Sequence, residues 1–152
     1  HAAFRKLEHA IRTVSPDAFL TLNGYSLREI GFSRQKASYV LKIAEDIVAG
    51  KIDFDALQLI DDNEARTRLM QIRGIGKWTA DTYLLFSLRR SDVWPSGDLA
   101  LERAVAELRG LPSKVRTEEV DRIVAAWKPF RAVAARILWC QYLNQRDRLP
   151  SA

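Results

Sequence analysis

The sequence of 152 residues holds a single cysteine, Cys140, and two histidines, His1 and His9. One cysteine excludes an intramolecular disulfide, a four-cysteine zinc site and a thiolate-held iron–sulfur cluster within the chain. With both histidines at the amino-terminal end, a histidine-rich metal site is not expected either. No apolar run approaches the roughly 20 residues that span a bilayer, and the amino terminus lacks a basic-then-apolar signal pattern. No membrane partner is therefore expected, and the reading is a soluble protein of a reducing compartment: cytoplasm or nucleoid in a bacterium, nucleus in a eukaryote. Strand-like alternation is confined to triplets such as Ile52-Asp53-Phe54, which argues against a β fold. Internal repeats, low-complexity tracts and long linkers are also missing.

What remains is 47% hydrophobic and 28% charged, the balance of one compact domain covering residues 1–152. Twenty-four Lys and Arg face 19 Asp and Glu, a net charge of +5 that favours a polyanionic partner, nucleic acid first. The chain opens at His1 rather than Met, and a leading segment is expected to be lacking.

Apolar residues recur at helical spacing nearly throughout, so an all-α domain is expected. Phe4, Leu7 and Ile11 mark a helix that stops before Ser15-Pro16. Ser26-Leu27-Arg28-Glu29 reads as a capping box opening a short helix that ends near Gly31. Ser33 caps a longer helix with the stripe Ala37, Val40, Leu41, Ala44, Ile47 and Val48, closed by Gly50. Asp61 with Glu64 begins another, leading through Ala65, Leu69 and Ile72 to Gly74-Ile75-Gly76. Helices then follow over Trp78–Leu88, Leu99–Leu108 and Thr117–Trp127. Arg89–Gly97 reads as a loop, and Pro129 suits the first turn of a last helix reaching about Asn144.

The segment Leu69-Met70-Gln71-Ile72-Arg73-Gly74-Ile75-Gly76-Lys77-Trp78-Thr79-Ala80 is the most informative. Two glycines around one apolar residue permit a tight turn, with Ile75 buried and free backbone N–H groups at the second helix start. Such a turn is either a plain connection or a phosphate seat to which Lys77 and Arg73 add charge. Asp98, directly before an apolar helix, is by spacing alone an N-cap. Trp139 alone reads as core, and Trp94 either lines a cleft or pins its loop. Arg131 reads as one half of a surface salt bridge.

Together, Leu-x-x-Ile-x-Gly-Ile-Gly-Lys-Trp-Thr-Ala, Asp92-Val93-Trp94-Pro95-Ser96-Gly97-Asp98-Leu99-Ala100-Leu101 and the stretch from Trp127 to Trp139 resemble helix-hairpin-helix DNA glycosylases. The 3-methyladenine DNA glycosylase II branch is the most similar. Gly31-Phe32-Ser33-Arg34-Gln35-Lys36-Ala37 also looks like a segment of that family. The resemblance implies a helical bundle with a cleft beside the hairpin, acting on double-stranded DNA that contains a damaged base. It implies Asp98 as the catalytic carboxylate, and Trp78, Trp139, Tyr83 and Trp94 around the base. Gly74, Gly76, Lys77, Arg73 and Thr79 would contact phosphates, while main-chain carbonyls of Met70, Ile72 and Ile75 would hold a structural sodium or potassium ion. No other cofactor is expected, and a monomer is.

The lyase branch carries a lysine where this chain has Trp78, so hydrolysis without strand cleavage is expected, with alkylated purines as substrates. The family's aromatic four residues after Trp78 is Thr82 here, which keeps a glycosylase for uracil or mismatched pyrimidines open. A non-catalytic DNA-binding module is the further alternative. It would need the hairpin but not Asp98 or the stretch ending at Trp139.

Overall fold

The computed structural model describes residues 2–11 and 13–147, and among these there is no strand. The elements are α1 (Ala2–Ile11), α2 (Pro16–Leu20), α3 (Gly24–Ile30), α4 (Arg34–Val48), α5 (Asp62–Gln71), α6 (Lys77–Phe86), α7 (Leu99–Arg109), α8 (Thr117–Val124) and α9 (Arg131–Asp147). Short 3-10 turns cover Ala56–Leu59 and Ala125–Trp127. Two compact units emerge: residues 1–60 with 70–74, and residues 61–69 with 75–152.

In the first unit the ends of helices follow local side-chain chemistry. Ser15 accepts a hydrogen bond from the Ala18 N–H with Pro16 at the first helical position, so the expected break also starts α2. The expected capping box at Ser26 is corrected. Asn23 Oδ1 accepts from the Ser26 N–H at 2.9 Å, so Asn23 caps α3 and Ser26 lies inside it. Ser33 caps α4 by accepting from the Lys36 N–H. Leu7, Phe19, Leu27, Ile30, Ala37 and Ala44 form the core, with Phe32 edge-on to Phe19.

The second unit buries Leu69, Ala80, Leu84, Leu85, Val93, Leu101, Val105, Val120, Val124, Ala135 and Leu138, with α7 packed on both α8 and α9. Asp61 Oδ1 accepts from the Asn63 and Glu64 N–H groups and caps α5. Gly110, at φ +64°, closes α7 in the left-handed conformation that glycine adopts without strain. Three expected boundaries move. Helix α6 ends at Phe86, because the Tyr83 carbonyl accepts from both the Ser87 and Leu88 N–H groups. Helix α8 gives way to a 3-10 turn after Val124, and Pro129 precedes α9 by two residues instead of sitting in its first turn.

Two ion pairs fix the helices that carry the site. Arg66 Nε donates to Asp81 Oδ1 at 2.5 Å, joining α5 to α6 through a carboxylate that is 1% exposed. Arg131, at the start of α9, donates Nε to Asp92 Oδ1 at 2.7 Å and Nη2 to Oδ2 at 2.9 Å and to the Asp92 carbonyl at 3.0 Å. The salt bridge expected of Arg131 thus ties α9 to the loop before α7. These hydrogen bonds hold the Asp92 carboxyl below the usual aspartate range, against the opposing effect of burial.

A lowered native pKa stabilises the fold above the unfolded value of about 3.9, and that stabilisation is lost as pH falls through the native value. Asp92→Asn should therefore cost about 1–3 kcal/mol at neutral pH in urea unfolding. The gap to the wild type should narrow below about pH 4. A gap that persists unchanged in acid would remove the charge from this explanation.

Candidate active site

Asp98 stands at the N-cap of α7, where an oxygen acceptor answers backbone N–H groups that have no intrahelical partner. Its Oδ1 accepts from the Ala100 and Leu101 N–H groups, both at 2.9 Å. The indole of Trp139, from α9, donates Nε1–H to the same oxygen at 3.2 Å. The indole of Trp78, from the first turn of α6, donates to Oδ2 at 2.8 Å. Four N–H groups from three helices thus converge on one carboxylate. Oδ1 receives three of them and Oδ2 only one, so Oδ2 keeps acceptor capacity beside a half-exposed indole. The cap reading and the site reading of Asp98 hold together in one rotamer.

The aromatic surroundings differ from the expected set. Phe86 stacks on Trp139 with ring centroids 5.3 Å apart and planes 18° from parallel, and it is 54% exposed. The Arg136 guanidinium lies over the Phe86 ring, 5.5 Å from its centroid, while Arg136 Nη2 donates to the Leu85 carbonyl. Trp78, Thr82 and Phe86 are spaced four residues apart, so they line one side of α6. Thr82 donates its hydroxyl to the Thr79 carbonyl and leaves the space between the two aromatic turns to a small side chain. Tyr83, one residue on, lies about 100° round the helix from that line. Phe86 was missed from sequence because it sits at the end of an apolar run, Leu84-Leu85-Phe86, where an aromatic reads as core.

Trp94 is buried, edge-on to Trp127 at 5.9 Å, and does not join the indoles on Asp98. It lines a polar cavity of about 300 Å³ with Lys77, Asp81, Ser96, Asp121 and Arg131. Of the two sequence alternatives for Trp94, anchoring its loop fits this placement.

The glycine turn divides between the two units, Gly74 closing one and Ile75 opening the other. Gly74 has φ +94°, and a Cβ there would lie 2.5 Å from Tyr39 Cδ2 and 2.7 Å from Cγ. Tyr39 is itself fixed, since Gln35 Nε2 donates to its hydroxyl and the Arg73 guanidinium sits 5.7 Å from its ring centroid. Arg73 is therefore exposed but rests on Tyr39. Gly76 caps α6 without a side chain, at φ −90°, and a Cβ there would meet nothing within 4 Å. The first N–H groups of α6 thus have no side-chain cap, and Lys77 and Thr79 beside them are exposed. Ile75 is half-buried rather than buried as expected.

Comparison with known proteins follows this geometry. A family model described as HhH-GPD superfamily base excision DNA repair protein matches residues 1–129. The alkylbase DNA glycosidase-like protein mag2 of Schizosaccharomyces pombe is 32% identical over 126 residues, 82% of this chain and 59% of that protein. DNA-3-methyladenine glycosylase 1 of the same yeast is 32% identical over 140 residues, 90% of this chain and 60% of that protein. The solved structure of the S. pombe 3-methyladenine DNA glycosylase in complex with abasic DNA superposes with a TM-score of 0.83 at 31% identity, covering 91% of this chain and 69% of that one. The chain thus spans about three-fifths of the length of these two curated relatives.

Tyr39 and Gly74 form a testable pair. Gly74→Ala should destabilise the protein by about 1–3 kcal/mol, from the positive φ and the overlap with Tyr39 together. In a Tyr39→Ala background the same substitution should cost less, because only the backbone strain remains. Unfolding of the four proteins measures this coupling, and strict additivity would show that the ring does not press on Gly74.

Proposed function

This chain belongs to the HhH-GPD superfamily of base excision DNA repair proteins, and from that premise we propose that it is a monofunctional DNA glycosylase for alkylated purines such as 3-methyladenine. It grips duplex DNA by phosphates, extrudes the damaged nucleotide and hydrolyses its N-glycosidic bond. The observation that carries this reading is the Asp98 carboxylate, locked by four N–H groups with one oxygen still open. The names of the similar proteins, 3-methyladenine DNA glycosylases among them, support the choice of substrate.

Breaking the bond from C1′ to the base nitrogen leaves the electron pair on the departing base and positive charge on the sugar. A fixed carboxylate stabilises that charge, and Oδ2 orients a water for attack on C1′ and accepts its proton. Phe86, Trp139 and Trp78 supply aromatic faces that attract a base already cationic from alkylation, and such a base is also the better leaving group. Trp78, whose indole donates to Asp98, stands where lyases carry the nucleophilic lysine, which supports hydrolysis without a Schiff base.

Phosphate contacts fall to the uncapped start of α6, where the Gly76 and Lys77 backbone, the Lys77 ammonium and Thr79 meet the favourable end of the helix dipole. The open space at Gly76 suits close approach by a phosphate. Gly74 and Arg73, in the first unit, are further proposed phosphate contacts of the same motif. Neutral main-chain carbonyls at Met70, Ile72 and Ile75 suit a monovalent ion. A sodium or potassium ion held there would brace the turn. The protein acts as a monomer in this reading.

The test uses duplex DNA bearing N-methylated purines, with wild type and Asp98→Asn, scoring free base and strand breaks before and after alkali. Base release by wild type should fall at least about 100-fold in the variant, with breaks only after alkali. Release of uracil or a mismatched pyrimidine instead would change the substrate. No release from any lesion despite intact DNA binding would leave a binding module, and breaks without alkali would indicate a lyase.

A further inference from the structure

Beyond Asp98, the outer face of α7 forms a second feature of the same unit. Leu99, Glu102 and Arg103, with Ser113, Lys114 and Val115 from the turn ahead of α8, wall an open cavity of about 730 Å³. Leu99 directly follows the carboxylate residue and is 69% exposed. Arg103 lies one helical turn further, about 6 Å along the axis. It reaches α9, where its Nη1 is 3.5 Å from the Tyr142 hydroxyl, three residues beyond Trp139. The rim therefore continues directly from the residues that hold Asp98.

The charge on this rim is cationic. Glu102 is only 9% exposed and accepts the Thr117 hydroxyl at 2.5 Å, at the positive end of α8 that favours a carboxylate. Arg103 and Lys114 are exposed, and among the described residues neither forms an ion pair. An apolar lip next to the carboxylate residue, followed one turn on by Arg103 with Lys114 on the same cavity wall, neither in an ion pair among the described residues, matches a sugar followed by its phosphodiester.

We propose that Arg103 and Lys114 hold the strand phosphate that flanks the extruded nucleotide, with Leu99 against the adjoining sugar, a backbone contact separate from the glycine turn. The inference rests on the reading of this chain as a DNA glycosylase. Its role is to position the sugar at Asp98, and it reads no base.

A duplex with a tetrahydrofuran abasic analogue, and with each flanking phosphate replaced in turn by an uncharged methylphosphonate, tests this directly. One such replacement should weaken wild-type binding about tenfold, while Arg103→Ala/Lys114→Ala, already weakened, should be indifferent to it. The salt slope of the variant should also be lower by about one, for the one phosphate no longer neutralised. Thermal unfolding of the variant should match wild type, since both side chains are exposed. Equal sensitivity of wild type and variant at every position overturns the clamp while leaving the glycosylase reading intact. Failure of wild type to bind the abasic duplex at all overturns both.

Discussion

The start of α7 needs an acceptor for its free N–H groups, and Asp98 supplies it with the carboxylate that the chemistry requires. A helix cap fixes χ1 and χ2 of its side chain more tightly than an open cleft would, because rotation breaks two backbone hydrogen bonds at 2.9 Å. The indoles of Trp139 and Trp78 then take one oxygen each, which leaves Oδ1 with three donors and Oδ2 with one. Everything else in this unit keeps three helices where these four donors meet. Arg66–Asp81 joins α6 to α5, and Arg131–Asp92 joins α9 to the loop that delivers Asp98. Losing either pair would leave an unpaired charge, fully buried in the case of Asp81, and loosen one of the donors.

The glycine turn works by a different physical route. Gly74 is demanded twice, by its positive φ and by the Tyr39 ring, whereas Gly76 is demanded by neither the backbone nor a neighbour in the chain. A glycine that nothing in the protein requires, at the uncapped start of a helix, fits a role at an interface with phosphate. A helix N-terminus binds such a group without reading sequence.

The helical architecture was readable because its apolar spacing and caps are local. Ser33 and Asp61 act where spacing puts them, and Asp98 is identified as a cap by its position before an apolar helix. The resemblance adds its chemistry. What failed depended on neighbours distant in sequence or on competing caps. Asn23 displaces Ser26 because it accepts the Ser26 N–H itself and so starts the helix one turn earlier. Phe86 joins the site only through Trp139, 53 residues away, and Trp94 leaves it only through Trp127. Spacing along one helix does not report on a partner ring in another. Tyr39 was likewise invisible as the reason for Gly74, since only folding places α4 against that turn.

The central claim is that Oδ2 of Asp98 is the working oxygen, while Oδ1 is committed to the helix cap and Trp139. A crystal structure with duplex DNA containing a cationic pyrrolidine nucleotide, which mimics the charged sugar, measures this. The account predicts the ring nitrogen about 3 Å from Oδ2, with both indoles and the cap retained. A nitrogen bound to Oδ1 with the cap displaced, or one making no contact with Asp98, would contradict it.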